Sequence, residues 1–186
     1  MRKKITIVIV IFFAASVAGI FWLWRSASAA DSSMDGQFDR LSRLNSFTQN
    51  HVQVDIDLER DPSGQTYLAA TYKPLDATFH LYSKDLPRNG IDGVGRPTLL
   101  ELTGGAQSAG NLTDSVTATN MAVDGFDAPF PIYPDGPVTL RLPIKAEPGS
   151  SSVDLSLTYM ACSLTGGCFP PVIDKRISVQ DIALLQ

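Results

Sequence analysis

Only two cysteines and two histidines occur in the 186 residues, and each scarcity removes a class of chemistry. Two Cys cannot complete a four-ligand zinc site or staple a cysteine-rich scaffold. His51 and His80 form no Ser-His-Asp order that stands above chance. Charged residues make up 18% of the chain, the net charge is −4, and no basic stripe occurs. That argues against a nucleic-acid partner. There is no Cys-x-x-Cys, no internal repeat and no low-complexity tract. The glycine-rich stretch Thr103 to Gly110 lacks the Gly-Lys-Ser/Thr ending of a phosphate-binding loop and reads as an ordinary loop. Hydrophobic residues nevertheless reach 44%, enough for one domain with a real core plus a short appendage.

A single long apolar run is present, and it sits at the N-terminus. Arg2-Lys3-Lys4 precedes an uncharged stretch from Ile5 to Trp24. As a helix, that stretch spans roughly 30 Å, the thickness of a hydrocarbon core. A secretory h-region is usually shorter, about 7–15 residues. Trp22, Trp24 and Arg25 fit an interfacial belt, so the sequence favours an uncleaved anchor. Ala27-Ser28-Ala29 leaves a cleaved signal peptide as the alternative. In both cases the positive-inside rule places residues 31–186 outside the cytoplasm, in the periplasm of a bacterial source. Those residues carry 11 basic and 19 acidic side chains, an acidic soluble body.

Three segments follow from this: an anchor or signal over 1–30, a stalk and leading segment over 31–50, and a β domain over 51–186. Residues 26–36 are small and polar, as in a flexible stalk. Phe38, Leu41, Leu44 and Phe47 recur every three residues, which suits either a short amphipathic helix or an extended packing segment. From residue 51 the period is two. Val52, Val54, Ile56 and Leu58 alternate with polar residues, as do Val138, Leu140, Leu142 and Ile144, and then Val153, Leu155, Leu157 and Tyr159. Further strands are expected over 66–72, 78–82, 98–102, 116–123 and 172–179, with Gly/Pro turns between them. The fold class is all-β, a sandwich of immunoglobulin-like size that lacks the antibody Cys…Trp…Cys arrangement.

Cys162 and Cys168 lie six apart, at the end of one strand and the start of the next. Gly166-Gly167 lets the chain fold back between them, so the sulfurs can meet across a hairpin. Closing so short a loop stabilises by roughly 2–2.5 kcal/mol, whereas a link across about 65 residues would give roughly 4 kcal/mol. The pair is a poor scaffold clamp and suits an accessible dithiol at a sheet end. On spacing alone, an inert clasp and a redox-active pair both remain open.

Tyr159-Met160-Ala161-Cys162, five residues, then Cys168-Phe169-Pro170-Pro171 resembles the redox motif of the N-terminal periplasmic domain of DsbD-type thiol:disulfide interchange proteins. Tyr133 to Ile144 and His80-Leu81-Tyr82 resemble strands near that site. The resemblance covers about residues 51–186, is specific at the Cys loop and is weak before residue 75. It implies an immunoglobulin-like fold and a dithiol that reduces periplasmic disulfide proteins. By resemblance Cys168 attacks the partner disulfide and Cys162 resolves the mixed disulfide. Phe126 would cap the sulfurs, with Phe130 as the fallback if the loop alignment slips. Asp124, Tyr82 and Tyr159 would line the site, and His80 stands where that family pattern has a Tyr. No cofactor is implied. The implied partners are a thioredoxin-like or disulfide-bearing periplasmic protein and a separate membrane electron donor, since no second membrane segment follows residue 24.

Two other readings stand beside this one. An anchored sandwich could bind a partner while Cys162–Cys168 serves only as a clasp. Met160, Cys162 and Cys168 could also offer soft ligands to Cu(I).

Overall fold

The structure is a computed structural model that describes residues 37–180. The apolar segment 5–24, the small-residue site at 27–29 and the stalk lie outside the described residues. Among the described residues no helix is long and apolar enough to cross a membrane.

The architecture is the all-β, immunoglobulin-like sandwich expected from the strand pattern. The larger sheet is built from β1 (Asp39–Gln49), β2 (Val52–Arg60), β3 (Thr66–Pro74), β6 (Ala106–Ser108), β7 (Thr113–Asp114) and β10 (Val138–Ala146). Its order is β1-β2-β3-β10-β6, with β7 also on β10. The second sheet runs β14-β11-β5, from Val172–Gln180, Ser152–Tyr159 and Leu99–Gly104. All pairings in both sheets are antiparallel.

Period-two alternation decides which residues enter the core. Val52, Val54, Ile56 and Leu58 of β2 join Leu68, Ala70 and Tyr72 of β3 and Val138, Leu140, Leu142 and Ile144 of β10. Val153, Leu155, Leu157 and Tyr159 of β11 meet them from the other sheet. Each such Val or Leu contributes about 1.5–3 kcal/mol by leaving water.

The opposite face of β2 and β10 is polar but is also covered. β1 lies along β2 with two irregularities in register, at Arg40/Ser42 and Arg43/Asn45. Arg40 and Arg43 reach Asp57, Arg43 also reaches Asp55, and the buried Arg141 and Glu59 pair at 2.7 Å. The Phe38 ring roofs the Arg141 guanidinium at 4.3 Å. Of the two readings of Phe38 to Phe47, the extended one is observed. Leu41, Leu44 and Phe47 pack against the core from an edge strand, and the register shifts let a three-residue spacing serve a strand.

The expected strand over 116–123 is shorter. Only β8 (Thr119–Met121) forms, paired with β9 (Phe130–Ile132). The segment 78–82 contributes the two-residue β4 (His80–Leu81). β4 joins β12 (Ala161–Ser163) and β13 (Gly167–Cys168) in a small sheet ordered β13-β12-β4 at one end of the sandwich.

Candidate functional site: a disulfide hairpin over an aromatic cluster

β11 ends at Tyr159, Met160 interrupts the ladder, and the chain resumes as β12. The turn Leu164-Thr165-Gly166 then reverses it into β13. Ser163 Oγ accepts from the backbone N–H groups of Thr165 and Gly166, at 3.3 and 3.2 Å, and so holds the turn. Gly167 has φ of +78°, a left-handed conformation that a side chain would resist. The result is a direct Cα pairing of Cys162 with Cys168, 4.0 Å apart, and the two form a disulfide.

The two sulfur-bearing residues differ in surroundings. Cys162 is only 3% exposed, whereas Cys168 is exposed at the hairpin edge. Cys162 packs in a second apolar cluster with Tyr82, Leu86 and Phe130, flanked by the partly buried Ile91, Val123, Phe126, Ile132 and Met160. The Tyr82 hydroxyl donates to Cys162 Sγ at 3.3 Å. Burial raises the Tyr82 phenol above its ordinary value, so it stays a donor.

Aromatic contacts build this cluster outward. Tyr82 meets Phe130 with ring centroids 5.8 Å apart, and Phe126 meets Phe130 edge-on at 5.0 Å. Phe126 sits in the β8–β9 loop at the end of a turn closed by its own N–H to the Val123 carbonyl, 3.2 Å. Gly125, at the third position of that turn, has φ of +90°, as a type II turn requires. β9 is itself tied to β4 through Tyr82↔Ile132 and through the Tyr133 N–H to the Leu81 carbonyl at 2.9 Å. The cap turn, the aromatic cluster and the disulfide hairpin are thereby continuous.

Of the residues singled out in the sequence, Cys162, Cys168, Tyr82, Phe126 and Phe130 come together here. Asp124 is exposed at the cap turn. Tyr159 belongs to the main core instead: its ring lies edge-on to Tyr72 at 5.5 Å and its hydroxyl donates to the Gln49 carbonyl at 3.1 Å. Leu86 and Ile91 were not anticipated. The loop after β4 folds beneath the site, and the Arg96 guanidinium pins it by donating to the carbonyls of Asn89 and Gly93. On the other flank Phe169 stacks on His51 at 4.5 Å and tilts against Phe79 at 5.0 Å.

His80 pairs directly with Cys162 across β4 and β12. It is 4% exposed, and its Nε2 has no hydrogen-bond partner. Burial pushes its imidazole below the usual value of 6.5, and the Asp135 charge opposes that only in part. The folded state thus holds His80 neutral at a pH where the unfolded chain already binds a proton. Unfolding is then favoured as pH falls through the window just below 6.5, until the folded imidazole protonates as well. Above that window His80 adds no pH dependence to stability. His80→Phe in the oxidised protein should flatten the stability profile between about pH 5 and 7, read from urea midpoints. An unchanged slope would contradict this.

Among the described residues no group of three or more His, Cys, Asp and Glu gathers as a metal site. In the oxidised pair the sulfurs are bonded to each other and offer no thiolate to copper.

No protein-family model matches the chain, and no curated protein matches it. Among solved structures, the N-terminal domain of DsbD from Neisseria meningitidis, crystallised in its reduced form, is similar. It is 18% identical, with 61% of this chain and 75% of that chain covered, at a TM-score of 0.41.

Proposed function

We propose that this protein is a thiol–disulfide exchange module that passes reducing equivalents to disulfides of partner proteins outside the cytoplasm. The observation that carries the reading is the asymmetry of the cysteine pair. Cys168 is exposed at the edge of a hairpin, and Cys162 is buried beneath Tyr82. An inert clasp gains nothing from that difference. An exchange reaction needs it, because one sulfur must meet the partner and the other must wait.

In the reduced state the Cys168 thiolate attacks a partner disulfide. A Cys168–partner bond forms, the partner S–S bond breaks, and one partner thiolate leaves. Cys162 then attacks the Cys168 sulfur and releases the second partner thiol. Two electrons pass to the partner, and the protein is left with the Cys162–Cys168 disulfide. A second dithiol, membrane-bound or thioredoxin-like, would reduce it again. The apolar segment 5–24 would tether the domain beside such a donor, and a disulfide-bearing or thioredoxin-like protein would accept the electrons.

Phe126 serves as the cap in this reading. It is half-buried against Phe130 on a turn held by one backbone hydrogen bond. Such a contact can release when a partner docks and otherwise covers the Cys162 side of the pair. Phe126→Ala should speed reduction of the disulfide by dithiothreitol by about two- to tenfold, the factor set by losing an edge-on aromatic pair. Reduction at the wild-type rate would remove the cap from the account.

The test of the function is capture. Cys162→Ala leaves Cys168 to attack with nothing to resolve the product, so a mixed disulfide with an exported protein should accumulate and vanish on reduction. If Cys162→Ala captures nothing through Cys168 and both Cys-to-Ala variants behave as wild type in the cell, the disulfide is a clasp.

A further inference from the structure

The small sheet carries a row of three chemically active side chains. Cys168 pairs with Cys162, and Cys162 pairs with His80, at successive cross-strand positions of β13, β12 and β4. Directly opposed residues project to the same face of a sheet, with Cβ atoms about 4.5–5.5 Å apart. Tyr82 lies two residues from His80, on that same face, and the His80 and Tyr82 rings meet edge-on at 5.8 Å. Its hydroxyl is already committed to Cys162 Sγ. His80 is the unusual member: a nearly fully buried imidazole whose Nε2 lacks any partner in the oxidised state. A buried polar atom left unpaired is costly and rare, and Cys162 is the residue directly opposite His80 on the neighbouring strand.

We propose that His80 accepts the thiol proton of Cys162 during the resolving step. The inference rests on the exchange reading above and adds one residue to it. Cys162 S–H gives its proton to His80 Nε2 as its sulfur attacks Cys168. The Cys162–Cys168 bond forms, the Cys168–partner bond breaks, and the partner sulfur leaves as a thiolate. The imidazolium then returns its proton to solvent or to the leaving thiolate. The titratable and charged groups facing His80 are Cys162 and beyond it Cys168, Tyr82 just past the end of β4, and Asp135 from the β9–β10 loop. Burial keeps the imidazole neutral, and therefore able to accept, at ordinary pH. Tyr82 plays the complementary part by donating to the same sulfur and steadying the developing thiolate.

The test uses the full chain, reduced and held in detergent, mixed with dithiobis(nitrobenzoate). Attack by Cys168 releases one thionitrobenzoate, and resolution by Cys162 releases the second. In Cys162→Ala only the first release remains, which marks it. The wild-type second phase should rise with the titration of His80, below the ordinary histidine value, and then run level. In His80→Phe the second phase should fall about tenfold or more at about pH 7. It should then climb as the free thiol ionises, so that the gap narrows at alkaline pH. His80→Gln, polar but without titration in this range, should match His80→Phe, which separates proton transfer from packing. The first phase should be the same in all of them. A second phase slowed equally at every pH, or unchanged, overturns the role of His80. A wild-type protein with no fast first phase overturns the exchange reading instead, and the two failures are therefore distinct.

Discussion

In the reduced protein, Cys168 is expected to alkylate readily under native conditions while Cys162 stays protected until the chain opens. The comparison is cleanest in single variants: Cys162→Ala reports Cys168, and Cys168→Ala reports Cys162. Thiol reactivity follows exposure and ionisation. Cys168 stands at the rim of the hairpin, whereas Cys162 is covered by Tyr82, Leu86 and Phe130. Reaching Cys162 requires lifting that cluster. An opening cost of about 3 kcal/mol corresponds to a rate gap on the order of 100-fold. Timed iodoacetamide labelling with mass readout gives both rates. Denaturant should erase the gap, because nothing in the unfolded chain shields one sulfur over the other. Equal native rates would contradict the assignment of an attacking and a resolving cysteine.

Phe130→Ala is expected to cost about 3–5 kcal/mol of stability, the usual price of deleting a fully buried aromatic ring. Phe130 is the hub of the second cluster, in contact with Tyr82 on one side and Phe126 on the other. Its strand β9 is short, paired with β8 and held to the segment 81–83 by a bridge at Tyr82 and two backbone hydrogen bonds. A melting temperature lower by about 10 °C or more should accompany the loss in a domain of this length. The same variant should lose protection of Cys162, since the floor beneath Tyr82 is gone. Phe126→Ala, at the half-buried rim, should by contrast change reduction kinetics while barely moving the melt. If the two variants were equally destabilised, the separation of floor from cap would be wrong.

The sandwich was legible wherever alternation was strict. Strands β2, β10 and β11 bury the apolar residues that period two assigns to one face, because no other pairing register hides them all. The same parity explains Tyr159. It continues the row of Val153, Leu155 and Leu157 and so faces the main core, although it lies only three residues before Cys162 in the chain. Cys162 has the opposite parity and follows the break at Met160, so its side chain enters the other cluster. The family resemblance implied a lining residue; strand periodicity places the ring in the main core.

The hairpin itself could be read from the spacing and the two glycines, since a short turn with a left-handed residue was needed for the sulfurs to meet. The floor of the site could not be read in the same way. Leu86, Ile91 and Met160 come from loops and strand ends, where no period marks the buried side chain. The bulged edge strand β1 reads equally as helix or extended segment for a related reason, because its register shifts break the alternation that reveals a strand. His80 was visible as a departure from the family pattern. Its burial and its pairing with Cys162 follow from β4 lying beside β12, a long-range contact that sequence spacing does not encode.

The central claim is that Cys162–Cys168 exchanges electrons, and its reduction potential tests this most directly. The oxidised protein is equilibrated in glutathione or dithiothreitol buffers of graded poise, quenched with acid, and its free thiols are counted by alkylation. Exchange-active pairs lie at about −120 to −270 mV, and the account predicts a value in that range. A value below about −300 mV, where structural disulfides lie, would contradict it and leave the hairpin as a clasp.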